Sequence, residues 1–73
     1  MKKVIDAKGK ACPMPVIMAK KEIDSGIKFF LVEVDNKIAV ENLKKLAKSQ
    51  GFETSVEEIN GVFKSFLNNL FYL

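Results

Sequence analysis

The sequence has no histidine, no arginine and no tryptophan, and its 73 residues include a single cysteine, Cys12. One cysteine cannot form an internal disulfide, and without histidine the usual Cys/His zinc sites and a Cys-His catalytic pair are excluded. Gly9 and Gly26 are isolated, so no Gly-rich phosphate loop is present. We therefore expect no metal and no cofactor. Stability must come from the packing of one small domain, residues 1–73.

All twelve basic residues are lysine. The bidentate forks that arginine offers to phosphate and guanine are missing, which argues against nucleic acid as a partner. Six lysines lie within residues 1–21 against Asp6 alone, whereas the rest of the chain has six lysines and eight acids. The lysines near Cys12 are candidates for stabilising a thiolate or for docking a partner protein: Lys8, Lys10, Lys20 and Lys21.

Long hydrophobic runs are also missing. No apolar stretch approaches the length of a membrane span, and the N-terminal Val4-Ile5 is too short for the core of a signal peptide. The apolar content is nevertheless 48%, which favours a compact fold over disorder. We expect a cytoplasmic protein without membrane contact, in which a lone thiol stays reduced.

Hydrophobic periodicity predicts elements in the order β-α-β-α-β-β. Strand patterns occur at Val4-Ile5, 29–34 and 52–59, and helical patterns at about 13–25 and 38–50. Gly26 and Gly51 are predicted to end the helices, and Asn60-Gly61 is a strong hairpin signal. Two amphipathic helices can cover one face of a mixed four-stranded sheet. The predicted fold is therefore an α/β two-layer sandwich.

Particular side chains are assigned to the helices by their spacing. Val16, Ala19 and Ile23 share one face of the first helix. The second helix has a stripe of apolar residues, namely Ala39, Leu43, Leu46 and Ala47. Asp35-Asn36 is predicted to supply the cap of that helix, with Asp35 interpreted as a capping residue.

The segment after Asn60-Gly61 is ambiguous. Its apolar residues from Val62 to Phe71 recur at helical spacing, but the preceding turn and the bulky aromatics favour a strand. We predict a strand for the first half and leave residues 66–73 open. The apolar end, 70–73, could pack on the domain or form an interface.

The segment Cys12-Pro13-Met14-Pro15 lies where the first helix should begin. Proline is tolerated in the first helical turn, so Pro13 and Pro15 would shape this loop. Only a thiolate is nucleophilic, and with no histidine as base the helix dipole and nearby lysines are the available means to favour it. A lone activated thiol without catalytic partners fits thiol exchange or carriage of sulfur as a persulfide.

Other interpretations stay open at this point. Cys12 could be a small buried hydrophobic residue, because unpaired cysteine is among the most buried residue types. The domain could instead be a regulatory or RNA-binding module that uses its lysine-rich face, or a protein-interaction domain that uses its C-terminal apolar segment.

The stretch from Lys8 to Lys21 resembles the signature of the TusA/SirA/YedF family of small sulfur-carrier proteins, and the resemblance extends over residues 3 to about 65. Residues 34–43, followed by Gly51, are more similar to the YedF-like branch, which is linked to selenium metabolism. The resemblance implies a β-α-β-α-β-β fold and a persulfide on Cys12. It also implies a sulfur-donor protein such as a cysteine desulfurase and a downstream thiol acceptor, which makes the protein a relay and not a catalyst.

Overall fold

The computed structural model describes residues 3–10 and 14–69, and the predicted element order is confirmed. The first five elements end within a residue or two of the predicted positions, whereas the end of the last strand was left open. The bounds are β1 Lys3–Asp6, α1 Met14–Asp24, β2 Phe29–Val34, α2 Lys37–Ser49, β3 Phe52–Ile59 and β4 Val62–Asn69. Cys12 and Pro13 lie outside the described residues, as do residues 70–73.

The four strands form one mixed sheet in the order β1-β2-β4-β3. β1 pairs in parallel with β2, whereas β4 pairs antiparallel with both β2 and β3. β2 is therefore an interior strand. This position explains its apolar sequence, since Phe30, Val32 and Val34 are fully buried.

Both helices pack on one face of this sheet, as the predicted two-layer sandwich requires. The strand residues on that face form a single core with α1 and α2. Ala19 and Pro15 are the buried residues of α1, and the small side chain of Ala19 lets the helix approach the sheet closely. The core residues of α2 are Ala39, Val40, Leu43 and Ala47, while Leu46 is only partly buried.

The turns follow from residues that tolerate positive φ. Asn60 and Gly61 have φ values of 51° and 80°, the left-handed pair required by a type I′ hairpin turn. This turn sets the register in which Ile59 faces Val62. Asn36 caps α2, because its side-chain oxygen accepts the Ala39 N–H at 2.8 Å.

The ambiguous C-terminal segment is a strand as far as the structure describes it. β4 extends through Asn69 and is hydrogen-bonded to a strand on each side. The helical spacing of Phe63, Phe66 and Leu67 was misleading, because an interior strand can be apolar on both faces. Residues 70–73, for which the sequence left strand or helix open, lie outside the described part of the chain.

Ser65 is a polar residue in the core under the helices. It is 1% exposed, and its hydroxyl has no hydrogen-bond partner within the described structure. An unsatisfied buried hydroxyl is destabilising, so Ser65→Ala should raise the free energy of unfolding by about 1 kcal/mol. Urea denaturation would measure this, with Ser55→Ala on the exposed part of β3 as the control. A lower midpoint for Ser65→Ala would contradict the prediction.

Within the described residues, neither helix is both long and apolar enough to cross a membrane.

Candidate functional site

The two helices begin at the same edge of the sheet. β1 and β2 are parallel neighbours, so the loops that follow them meet where both strands end. α1 begins at Met14 and α2 at Lys37. In open α/β sheets, this edge is the usual position of functional loops.

The loop after β1 is held against the end of β2. The Ala7 N–H donates to the Glu33 carbonyl at 2.9 Å, and Ala7 is buried. The Lys10 N–H then donates to the Ala7 carbonyl at 3.2 Å, which closes a tight turn. Gly9 occupies this turn with φ of 76°, a conformation that side chains disfavour. The chain therefore leaves the sheet through a defined turn that ends two residues before Cys12.

Pro15 is buried within the first turn of α1. This position suits a proline, because first-turn N–H groups have no partner inside the helix. Pro15 thus packs into the fold and anchors the start of α1. Cys12 and Pro13, the other two motif residues, are not among the described residues.

Exposed apolar side chains surround the helix starts. Met14 is 42% exposed, Ile17 is 46% exposed and Ile38, in the first turn of α2, is 68% exposed. Met14 and Ile17 are three residues apart and so share one face of α1. Apolar side chains left in solvent beside the loop are suited to contact with another protein.

The four candidate lysines differ in their surroundings. Lys8 contacts Glu33 at 2.8 Å and Asp6 at 3.0 Å, so two carboxylates compensate its charge. Lys20 pairs with Asp24 one turn along α1. Lys10 and Lys21 form no ion pair with any residue that the structure describes. Of the four, these two are the cations most available to a partner or to the thiol.

The Asp6–Lys8 pair makes a testable electrostatic prediction. The hydrogen bond from Lys8 lowers the pKa of Asp6 below its ordinary 3.8, and hydrogen bonds to Glu33 and Asp6 raise the pKa of Lys8. Because the pKa of Asp6 is lower in the folded state, its carboxylate stabilises the fold above pH 3.8. That contribution is lost as the pH falls through the folded pKa.

An NMR titration of the Asp6 carboxyl should therefore give a pKa below 3.8 that moves upward in Lys8→Met. Lys20→Met, which removes a lysine paired elsewhere, is the control and should leave the Asp6 pKa in place. An Asp6 pKa that is insensitive to Lys8→Met would contradict the prediction.

Of the predicted Asp35-Asn36 cap, Asn36 is confirmed, but Asp35 does not cap α2 and its interpretation as a cap was wrong. Asn36 supplies the cap, and an Asp35 carboxylate oxygen instead accepts the Gly9 N–H at 2.9 Å. The contact joins the loops after β1 and β2. Spacing along the chain could not indicate it, because the two residues are 26 positions apart. The one signal that could have indicated this contact is that neighbouring parallel strands end at the same edge of the sheet, which brings the loops after β1 and β2 together.

No group of three or more cysteine, aspartate or glutamate side chains in residues 3–10 and 14–69 is arranged to hold a metal ion. Among the described residues, the polar groups at this edge of the sheet are lysine ammonium groups, carboxylates and backbone N–H groups. They belong to loops of which the first leads along the chain to Cys12.

Comparison with known proteins gives consistent results. YrkI from Bacillus subtilis (strain 168), provisionally designated a sulfur carrier protein, is 43% identical over 54 residues, 70% of this chain and 71% of that protein. The crystal structure of a SirA-like protein from Desulfitobacterium hafniense has a TM-score of 0.84 and 39% identity, covering 93% of this chain and 96% of that one.

The family model described as Sulfurtransferase TusA matches residues 3–68, from the first residue of β1 to the penultimate residue of β4. The match thus includes both helices, the whole sheet apart from its last residue, and the Cys12-Pro13-Met14-Pro15 segment, whose last two residues begin α1. The chain therefore belongs to the TusA sulfurtransferase family.

Proposed function

We propose that this protein is a sulfur carrier that holds a persulfide on Cys12. The observation that carries the proposal is the family match, which includes the one cysteine of the chain. The relative from Bacillus subtilis, designated a sulfur carrier, supports the same role. A carrier also suits a chain that offers a thiol but has no histidine to act as its base.

Covalent connectivity supports a role for Cys12 at the edge where the helices begin. Lys10 ends the described turn and Met14 begins α1, with three residues between them. Cys12 is thus two residues from each of them along the chain. A helix N-terminus is a place where the helix dipole favours an anion, which is the charge of a thiolate.

The transfer step is an exchange at sulfur. The Cys12 thiolate attacks the outer sulfur of a donor persulfide, a new S–S bond forms on Cys12, and the donor S–S bond breaks. The donor cysteine leaves as a thiolate, and the proton of the persulfide remains on the transferred sulfur. No external oxidant or reductant is needed. Release repeats the exchange on an acceptor thiolate, so the carrier is regenerated unchanged.

The donor and the acceptor are proteins, and a cysteine desulfurase is the donor that the family resemblance favours. The exposed Met14, Ile17 and Ile38 provide apolar contact area beside the loop, and Lys10 adds a positive charge. Such a surface suits a partner with an apolar centre and acidic groups at the rim. The cytoplasm is the compartment in which the thiol would stay reduced.

Incubation with a cysteine desulfurase and cysteine tests the proposal. Intact-mass measurement should show a gain of one sulfur atom per chain that a thiol reductant removes. The YedF-like resemblance adds selenium as an alternative cargo, and the mass of the adduct distinguishes the two elements. No adduct under conditions in which the desulfurase itself is loaded would contradict the carrier role.

A further inference from the structure

Asp35 makes a contact that the folding of α2 does not explain. It lies on the two-residue link between β2 and α2, where Asn36 already satisfies the helix N-terminus. One Asp35 carboxylate oxygen accepts the Gly9 N–H at 2.9 Å, and the other contacts the Asn36 side-chain amide at 3.4 Å. Asp35 therefore contacts the loop after β1 as well as its own link.

The turn after β1 is held at its two ends, where the Lys10 N–H donates to the Ala7 carbonyl. Ala7 is fixed by burial and by its bond to Glu33, while Gly9 lies two residues further along, on the exposed side of the turn. Glycine has more accessible backbone conformations than any other residue, so a contact at Gly9 itself restricts this turn further than the Lys10–Ala7 hydrogen bond alone. The hydrogen bond from Gly9 to Asp35 is such a contact, and it lies three residues before Cys12.

We propose that Asp35 is a positioning residue for Cys12, acting through the Gly9 N–H to restrict the turn that leads into the loop. This inference rests on the proposed function. The charge of Asp35 acts in the opposite sense, since a carboxylate near a thiolate disfavours the ionised thiol. The benefit of Asp35 must therefore come from the hydrogen bond it accepts and not from its charge.

Two substitutions separate these contributions. Asp35→Asn retains an acceptor oxygen without the charge, whereas Asp35→Ala removes both. The other charged groups at this edge stay unchanged in both variants, namely Asp6, Lys8, Lys10, Glu33 and Lys37. Asp24→Ala is the matched control, because Asp24 is an exposed aspartate at the far end of α1 whose partner is Lys20.

The rate of sulfur loading from a saturated desulfurase is the first measurement. Asp35→Ala should load about fivefold more slowly than the wild type, the effect of losing one hydrogen bond that orders the reacting group. Asp35→Asn should load at nearly the wild-type rate, and so should Asp24→Ala. The desulfurase concentration for half-maximal rate should be unchanged in all three variants.

Urea midpoints are measured in parallel, so that a loss of rate caused by unfolding can be recognised. Unimpaired loading by Asp35→Ala would overturn the inference. Equal impairment in Asp35→Asn would assign the effect to charge, and a loss that tracks the unfolded fraction would assign it to stability; either result overturns the inference as well.

Alkylation of Cys12 by iodoacetamide, followed across pH, distinguishes failure of this inference from failure of the carrier role. If no donor loads the wild type with sulfur, the carrier role fails. The alkylation rates alone then decide whether Asp35 positions Cys12. Slower alkylation in Asp35→Ala at a pH where the thiol is fully ionised, with recovery in Asp35→Asn, supports positioning. Equal limiting rates in all variants overturn it.

Discussion

Replacing Cys12 with serine is expected to abolish sulfur loading completely. The chain has no other cysteine, and a serine hydroxyl is not ionised near neutral pH and cannot form a persulfide. Intact-mass measurement after incubation with a desulfurase and cysteine should show the unmodified Cys12→Ser mass beside a fully shifted wild type. A sulfur adduct on Cys12→Ser would show that the transferred atom is held elsewhere.

A variant with its cysteine at another position tests whether sulfur loading requires the thiol at residue 12. The double variant Cys12→Ser with Ser55→Cys carries one cysteine on the exposed part of β3, far along the chain from the loop between β1 and α1. This variant should be alkylated by a small reagent but should gain little sulfur from the desulfurase. Equal loading of the two thiols would mean that any exposed cysteine suffices, which contradicts a dedicated site at Cys12.

Of the substitutions proposed for this protein, Phe30→Ala is expected to lower the free energy of unfolding the most. Phe30 is fully buried in the interior strand β2 and packs edge-to-face on Phe52 with ring centroids 6.1 Å apart. Truncating such a residue costs about 3 to 5 kcal/mol, because the cavity cannot close completely. Small domains have total stabilities of roughly 0.05–0.15 kcal/mol per residue, so a large share of the folded population should be lost. Urea denaturation followed by circular dichroism measures the change.

Phe29, the residue before Phe30, supplies the control substitution for this prediction. Phe29 lies on the opposite face of β2, is partly exposed and stacks on Phe66 at 6.5 Å. Phe29→Ala removes an aromatic of the same size and should cost only about 1 to 2 kcal/mol. Equal losses from the two substitutions would contradict the assignment of the core to the face covered by α1 and α2.

The surroundings of Lys8 illustrate what a count of charges along a chain can miss. Residues 1–21 contain six lysines and one acid, which predicts a positive field near Cys12. In the folded chain Glu33 is brought to Lys8 by the pairing of β1 with β2, and Asp35 is brought to Gly9 in the same way. Acids distant in sequence therefore lie at the lysine-rich loop, and Lys10 carries more of the uncompensated charge than Lys8.

The segment after Asn60-Gly61 shows a second limit of prediction from the sequence. Helical spacing from Val62 onward competed with the strand signal, and the sequence left residues 66–73 open. Pairing of β4 with strands on both sides settles Val62–Asn69 as strand, because its backbone groups complete two hydrogen-bonded ladders. Similarly, Val56 follows the alternation of a half-buried strand yet is 36% exposed, since β3 is an edge strand.

The sequence by itself determined the order of the elements, their approximate bounds, the hairpin at Asn60-Gly61 and the choice of Cys12 as the candidate site. These properties depend on local physics, namely hydrophobic periodicity, residues that tolerate positive φ and the chemistry of a lone thiol. Only the tertiary structure decided that Asp35 contacts Gly9, that Glu33 compensates Lys8 and that Ser65 is buried with no hydrogen-bond partner among residues 3–10 and 14–69. Each of these depends on strand pairing, which brings together residues that are far apart along the chain.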